Sequence, residues 1–248
     1  MRRTILLLGS HPDDETTAAP LLLKYTRAGH AVHIVSITGG QKGVRPHAGV
    51  PAGEALAEVR AQEFSCSART LGAEKPFLLG YEDQGIAPLE VFWDAMHRVR
   101  AVVNEVRPDV ILTWGPDGIT GHVDHRVTSN LATVIFQERR LLTCDPKKLY
   151  FFAFPESVVG SNANPLARKH DFLLVNDCFI TTVVDCSETL EEGLRSIDCH
   201  RSQFRPERMQ ELKAMYRELL GGKIYLRLAL STAGWPGERE RCILDGLG

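Results

Sequence analysis

From residue 4 to about residue 141 the chain alternates short apolar runs with longer stretches whose apolar residues recur every three or four positions. Strands buried on both faces, joined by helices with one apolar stripe, are stably accommodated as βαβ units. Those units build a mostly parallel sheet covered by helices. Thr4 to Gly9 reads as the first strand. From Thr16 to Ala28 the residues Ala18, Leu21, Leu22, Tyr25 and Ala28 fall at helical spacing, and Gly29 follows as a stop signal. Ala31 to Ile37 is rich in β-branched residues and reads as the second strand, ending in Thr38-Gly39-Gly40 and a loop that runs to about Gly53. The pattern predicts helices over Glu54 to Leu71, Leu89 to Val106 and Asp124 to Leu141, with strands over Phe77 to Leu79 and Asp109 to Trp114. Beyond these the pattern is less regular. Strands are expected at Tyr150 to Phe154, Phe179 to Val184 and Lys223 to Leu230, with a helix built on Leu190, Leu194 and Ile197 and a charged helix from Glu207 to Leu220. The expected class is α/β, with a more irregular C-terminal part.

A chain of 248 residues can close one core of this kind, so a single domain over 1–248 is expected, with residues 1–145 as its core and 146–248 completing it. A net charge of -2 gives no general attraction for nucleic acid or an anionic membrane. No apolar stretch approaches the length of a bilayer span. The start, Met1-Arg2-Arg3 before Ile5-Leu6-Leu7-Leu8, is too short for a signal sequence and breaks at Gly9-Ser10-His11. The six cysteines form no C-x-x-C pair, which speaks against a thiolate metal site or a compact disulfide framework and fits a reducing cytoplasm. A homo-oligomer is compatible with all of this.

Two polar segments interrupt the pattern where strands hand over to helices. His11-Pro12-Asp13-Asp14-Glu15 follows the first strand, which sets its side chains at the carboxyl edge of the sheet, where open α/β folds bind ligands. Imidazole and carboxylate together suit zinc, and a neighbouring acid can act on a water held there. The same two aspartates would also serve as an anionic cap on the helix. Gly121-His122-Val123-Asp124-His125 also follows a strand and a Gly-rich loop. His122 and His125, three apart, face one side of a first helical turn. A lone histidine is more often a surface residue, but two such segments together point to a metal site. Gly115, Gly118 and Gly121 do not make a phosphate loop, because neither G-x-x-x-x-G-K-[ST] nor G-x-G-x-x-G is present. Trp114, between strand and loop, is either a core residue or a pocket wall.

These two motifs, in this order and spacing, resemble the PIG-L, or LmbE-like, family of zinc-dependent N-deacetylases. His200-Arg201-Ser202-Gln203-Phe204 and Leu79-Gly80-Tyr81-Glu82-Asp83-Gln84-Gly85 are similar to two further elements of that family. The resemblance covers roughly residues 4 to 204 and implies a Rossmann-like fold with one zinc ion per chain, other divalent metals remaining possible. It implies that His11, Asp14 and His125 hold the metal and that Asp13 is the general base. His122 would stabilise the oxyanion or act as general acid, with Asp124 orienting a neighbouring imidazole. Asp83, Arg60 and Arg45 are the candidates for contact with substrate; Arg45, Arg60, His47 and Glu63 either reach a polar substrate or belong to the solvated surface, and His200 and Gln203 either line the site or anchor the later helix. Val123 stands where the family usually has proline, and Thr16-Thr17-Ala18-Ala19-Pro20 replaces its usual Gly-Gly. The implied activity is removal of an acetyl or other acyl group from the nitrogen of an N-acetylglucosamine-type conjugate or related N-acyl amine. The alternatives are a metal-dependent amidase for a larger amide, such as a thiol-sugar conjugate, and a non-catalytic sugar-binding protein.

Overall fold

The computed structural model describes residues 1–160 and 172–248. Its seven strands are β1 (Thr4–Gly9), β2 (Ala31–Thr38), β3 (Phe77–Tyr81), β4 (Val110–Thr113), β5 (Lys148–Phe152), β6 (Thr182–Asp185) and β7 (Lys223–Ser231). They form one sheet in the order β3-β2-β1-β4-β5-β7-β6. The first five run parallel, and β7 pairs antiparallel with both β5 and β6. The α/β class and the mostly parallel sheet therefore follow the expectation.

The alternation of side chains along β1 explains the layers. Ile5 and Leu7 face one side, where they pack with Leu21 and Leu22 of α1 (Ala19–Arg27) and Phe64 and Ala68 of α2 (Glu54–Thr70). Leu6 and Leu8 face the other, against Val99 and Val103 of α3 (Leu89–Val106) and Leu131 and Ile135 of α4 (Val123–Gln137). Each of these side chains gains about 1.5–3 kcal/mol from leaving water, which is why β1 carries four apolar residues in a row.

The strand order fixes where a ligand can sit. From β1 the chain steps outward to β2 and β3, then crosses back to place β4 on the other flank of β1. The connections leaving β1 and β4 diverge to opposite faces, and a crevice opens between them at their carboxyl ends. The loops that leave those two ends carry the His11–Glu15 and His122–His125 segments.

Several elements differ from the sequence expectation. The first helix does not run unbroken from Thr16: a 3-10 turn, Asp14–Ala18, precedes α1. Its cause is Asp13, whose φ of 144° lies outside the conformations an L-residue adopts freely, so the backbone cannot enter an α-helix there. α4 ends at Gln137, and Arg139–Leu141 is a 3-10 turn. The expected helix 207–220 is an α-helix only over Pro206–Ala214 and then widens into a π-turn, Met215–Leu219. The reading of the cysteines is also corrected, since Cys66 and Cys199, 133 residues apart, form a disulfide between α2 and the turn before His200. Among the described residues no helix is long and apolar enough to cross a membrane.

Candidate metal centre and active site

The two motif loops meet. Asp14 folds back so that its Oδ2 accepts from the backbone N–H of Ser10 (2.6 Å), the N–H of His11 (3.0 Å) and Nε1–H of Trp114 (2.9 Å). Three donors saturate that oxygen and leave Oδ1 facing the cleft. His125, on the first turn of α4, donates from Nδ1 to the Gly118 carbonyl at 3.0 Å, which leaves Nε2 with its lone pair, 3.4 Å from Asp14 Oδ1. His11 Nε2 lies 3.1 Å from both Asp83 Oδ1 and Asp124 Oδ2 and donates to them, so its Nδ1 lone pair is the one turned to Asp14 Oδ1, at 3.8 Å. In the neutral rings two imidazole lone pairs, one from each loop, thus face the same carboxylate oxygen.

Such an arrangement repels itself unless a positive charge stands in the middle. His11, buried against Asp14, Asp83 and Asp124, illustrates the demand. Burial alone would depress its pKa, but those three carboxylates outweigh burial and hold it well above the ordinary histidine value. Asp14 is driven the other way: burial would raise it, yet His125 and His11 keep it well below the usual carboxylate range. Two imidazole nitrogens and one carboxylate oxygen, each oriented by a hydrogen bond on its far side, suit a divalent cation with an open fourth position.

Besides this first arrangement, two groupings in which all three donor atoms lie close to one another occur among the described residues, neither including Asp14: His11 with His122 and His125, and His11 with Asp83 and Asp124. Hydrogen bonding separates them from the first. His122 is the N-cap of α4, and its Nδ1 accepts from the Asp124 N–H at 3.2 Å, so in the neutral ring Nε2 carries the hydrogen and presents a donor, not a lone pair. Burial first, then the like charges of His11 and His125, lower its pKa and keep it neutral. Asp83 and Asp124 are already committed to His11 Nε2, and Asp124 Oδ2 also accepts from the Gln84 N–H at 2.7 Å.

Asp13 sits beside this cluster on its strained backbone. Its Oδ1 accepts from Arg60 at 2.9 Å, and the same guanidinium donates to the carbonyls of Pro12 (2.6 Å) and Gly40 (2.9 Å). Arg60 is only 3% exposed and lies under the loop that follows β2. Gly40 makes that approach possible: its φ is +64°, and a Cβ there would stand 2.1 Å from Arg60 Nη1. Burial raises the Asp13 carboxyl above the usual range, against the pull of Arg60 and with the push of Asp14. Behind it, Glu15 accepts from the Asp13 N–H at 3.1 Å and bonds to His200 at 2.5 Å, both side chains being fully buried. The burial of His200 would lower its pKa, but Glu15 outweighs that and raises it.

The remaining candidates divide. Asp83 is brought to the site, against His11. Arg45 is exposed on the loop after β2. His47 bonds to the Arg201 carbonyl at 3.0 Å, and Glu63 takes both the N–H and the hydroxyl of Ser202 at 2.7 Å. Gln203 is buried against the loop after β2, where a Cβ at Gly43 would stand 3.0 Å from its Oε1. The sequence reading did not assign Arg60 to Asp13, Glu15 to His200, or the stacking of Trp114 on His125 at 4.3 Å and 15°.

The fold and this cluster define an α/β protein with a histidine–carboxylate site at the topological switch point of its sheet. By sequence, residues 6–136 match the PIG-L family, described as GlcNAc-PI de-N-acetylase, and the chain belongs to that family. A 1D-myo-inositol 2-acetamido-2-deoxy-alpha-D-glucopyranoside deacetylase from Catenulispora acidiphila is 29% identical, over 92% of this chain and 88% of that protein. Among solved structures, an N,N'-diacetylchitobiose deacetylase from Pyrococcus horikoshii superposes with a TM-score of 0.66 at 21% identity, over 91% of this chain and 82% of that one. A 4-carboxy-2-hydroxymuconate hydratase from Pseudomonas putida superposes with a TM-score of 0.67 at 16% identity, over 95% and 99%. The last pair shows that the fold alone does not select the reaction.

Proposed function

We propose that this chain is a metal-dependent N-deacetylase that cleaves the amide of a small N-acetylglucosamine-type conjugate, with zinc as the ion. The observation that carries the reading is that His11 Nδ1 and His125 Nε2, from two different loops, both face Asp14 Oδ1, at 3.8 and 3.4 Å, while the other polar atoms of all three side chains are already hydrogen-bonded. The deacetylase relatives support the choice of reaction. When bound, the ion supplies Lewis-acid polarisation of the carbonyl and lowers the pKa of a water.

The chain's own groups do the rest. Asp13 receives the proton of the attacking water; its raised pKa sets it nearer to the working pH than an exposed aspartate. His122 Nε2–H donates to the oxygen on which negative charge develops. Asp83 and Asp124 hold the His11 ring in the tautomer that keeps Nδ1 unprotonated. The C–N bond breaks as a proton passes to the amine nitrogen, releasing acetate and a free amine. Arg60, by its bond to Asp13, positions the base; Arg45, exposed on the loop after β2, is assigned to substrate. The whole of residues 1–248 is read as one domain, a reading supported by β7 pairing with β5 across the sheet.

The test is amine release from a panel of N-acetylated sugars with and without chelator. Asp13→Asn is expected to keep bound metal by elemental analysis and to lose at least about a hundredfold in kcat, in the usual range for a general base. Unaltered turnover by folded Asp13→Asn protein, or full activity after metal removal, would sink the mechanism.

A further inference from the structure

Beside the catalytic atoms lies a second feature that deacetylation does not require. A cavity of about 200 Å³ opens on Asp13, Asp14 and His125, and His122 is not among the residues that line it. Its walls are Trp114, Ile119, Phe154, Phe204, Leu212 and Met215. Thr17, Thr120 and Arg208 also line it, and several of its polar groups are already engaged, Arg208 with Glu211 at 3.2 Å among them. Trp114 Nε1 is spent on Asp14, the Thr16 hydroxyl on the Asp13 carbonyl at 2.7 Å, and the Tyr216 hydroxyl on the Thr17 carbonyl at 2.9 Å.

One wall is built with strain. Ile119 has a φ of 60°, a conformation β-branched residues avoid, and is held there by its N–H on Asp117 Oδ1 at 2.7 Å and by the Leu173 N–H on its carbonyl at 2.6 Å. An apolar side chain is thereby set into the cavity wall. The π-turn over Met215–Leu219 lies at the same cavity through Met215 and Tyr216.

We infer that this cavity is an acyl subsite that takes an unbranched apolar chain of about six carbons in place of acetyl. The inference rests on the amide-hydrolase reading above. Of the four groups around the reacting carbon, two are oxygens bound by polar groups and one is the nitrogen bearing the sugar. Sugar hydroxyls in a space lined for the greater part by Trp, Phe, Ile, Leu and Met would exchange water for too few partners, so the sugar lies elsewhere and the acyl substituent enters here. An acetyl methyl would leave most of the space unfilled. At roughly 30 Å³ for each water-sized group, the cavity holds about six heavy atoms. The reaction balances as before: water adds to the acyl carbon, the C–N bond breaks, the amine nitrogen takes the proton, and the product is a medium-chain carboxylic acid.

The experiment compares N-acetyl-, N-butanoyl- and N-hexanoylglucosamine as substrates of the zinc-loaded enzyme, and acetate with hexanoate as ligands of zinc-loaded Asp13→Asn protein by calorimetry. Each buried methylene is expected to raise kcat/KM about fourfold up to hexanoyl, and hexanoate to bind more tightly than acetate in the same proportion. Leu212→Trp, at the half-buried side of the cavity, is expected to bring the hexanoyl-to-acetyl ratio back toward one. Preference for acetyl in an active enzyme, or equal binding of the two carboxylates, overturns the subsite while leaving the deacetylase reading intact. Tight hexanoate binding that Leu212→Trp removes, with no amide cleaved, overturns the hydrolase reading and upholds the apolar pocket.

Discussion

Asp14 shows how much of the site depends on single hydrogen bonds. One of its oxygens takes three donors, and only because of that is the other free to face His11 and His125. Trp114 supplies one of the three and also stacks on the His125 ring, so it orients two candidate ligands at once. Trp114→Phe keeps a ring of similar shape but removes the Nε1–H. Loss of such a supporting bond typically weakens metal binding about 10- to 100-fold, and a competition titration with a metal-sensitive dye is expected to read a fall in that range. An unchanged affinity would mean that the two backbone N–H groups suffice to hold Asp14. At this scale the sequence was partly legible. The ligand types stood out because imidazoles and carboxylates cluster in two short segments, and a sequence can display clustering. That Arg60 bonds to Asp13, or that Glu15 is buried against His200, was not legible, since each of those pairs spans a separation that only the fold closes.

Among the elements, α2 and the turn Leu194–Cys199 form the rear support of Asp13. α2 contributes Arg60 and Glu63; the turn leads directly into His200 and Ser202. The Cys66–Cys199 bond ties the two together. A cross-link closing a loop of this length restricts the unfolded chain strongly, and its removal commonly costs about 2–4 kcal/mol. Cys66→Ser/Cys199→Ser is therefore expected to unfold at lower denaturant with a steeper slope, because its unfolded chain is less compact, and dithiothreitol to shift the wild-type transition to the same midpoint while leaving the variant alone. Identical midpoints in all four samples would remove the bond from any role in stability. Helix and strand positions followed from periodicity because burial of one stripe or one face is a local pattern. The breaks did not: the 3-10 turn at Asp14–Ala18 and the π-turn at Met215–Leu219 leave the α-helical path at positions that apolar periodicity does not mark.

For the molecule as a whole, the last segment locks the antiparallel edge of the sheet. Glu240 accepts from Lys148 on β5, from Tyr150 on β5 at 2.6 Å and from Thr182 on β6 at 2.7 Å, and Lys148 is 2% exposed. Burial of that ion pair is tolerable only while both partners are present. Glu240→Ala would strand a buried ammonium and two hydroxyls, with an expected loss of about 3–5 kcal/mol in urea-induced unfolding. A change below about 1 kcal/mol would show that water reaches Lys148 once the carboxylate is gone. Nothing in the sequence marks Glu240 among the chain's other acids, because its role comes from three partners on two strands 58 or more residues away.

The residue pattern by itself determined that strands and helices alternate, that the sheet is mostly parallel, and that histidines and aspartates gather at two strand ends. Those follow from local rules of burial and spacing, which act over a few residues. The tertiary structure alone decided that β4 lies beside β1, and with it that the two ends open on one crevice. It also decided which lone pairs of His11, Asp14 and His125 remain unprotonated, and that an apolar cavity adjoins them. Those outcomes depend on contacts between distant segments, where the position of each atom is set by packing that no short stretch of chain encodes.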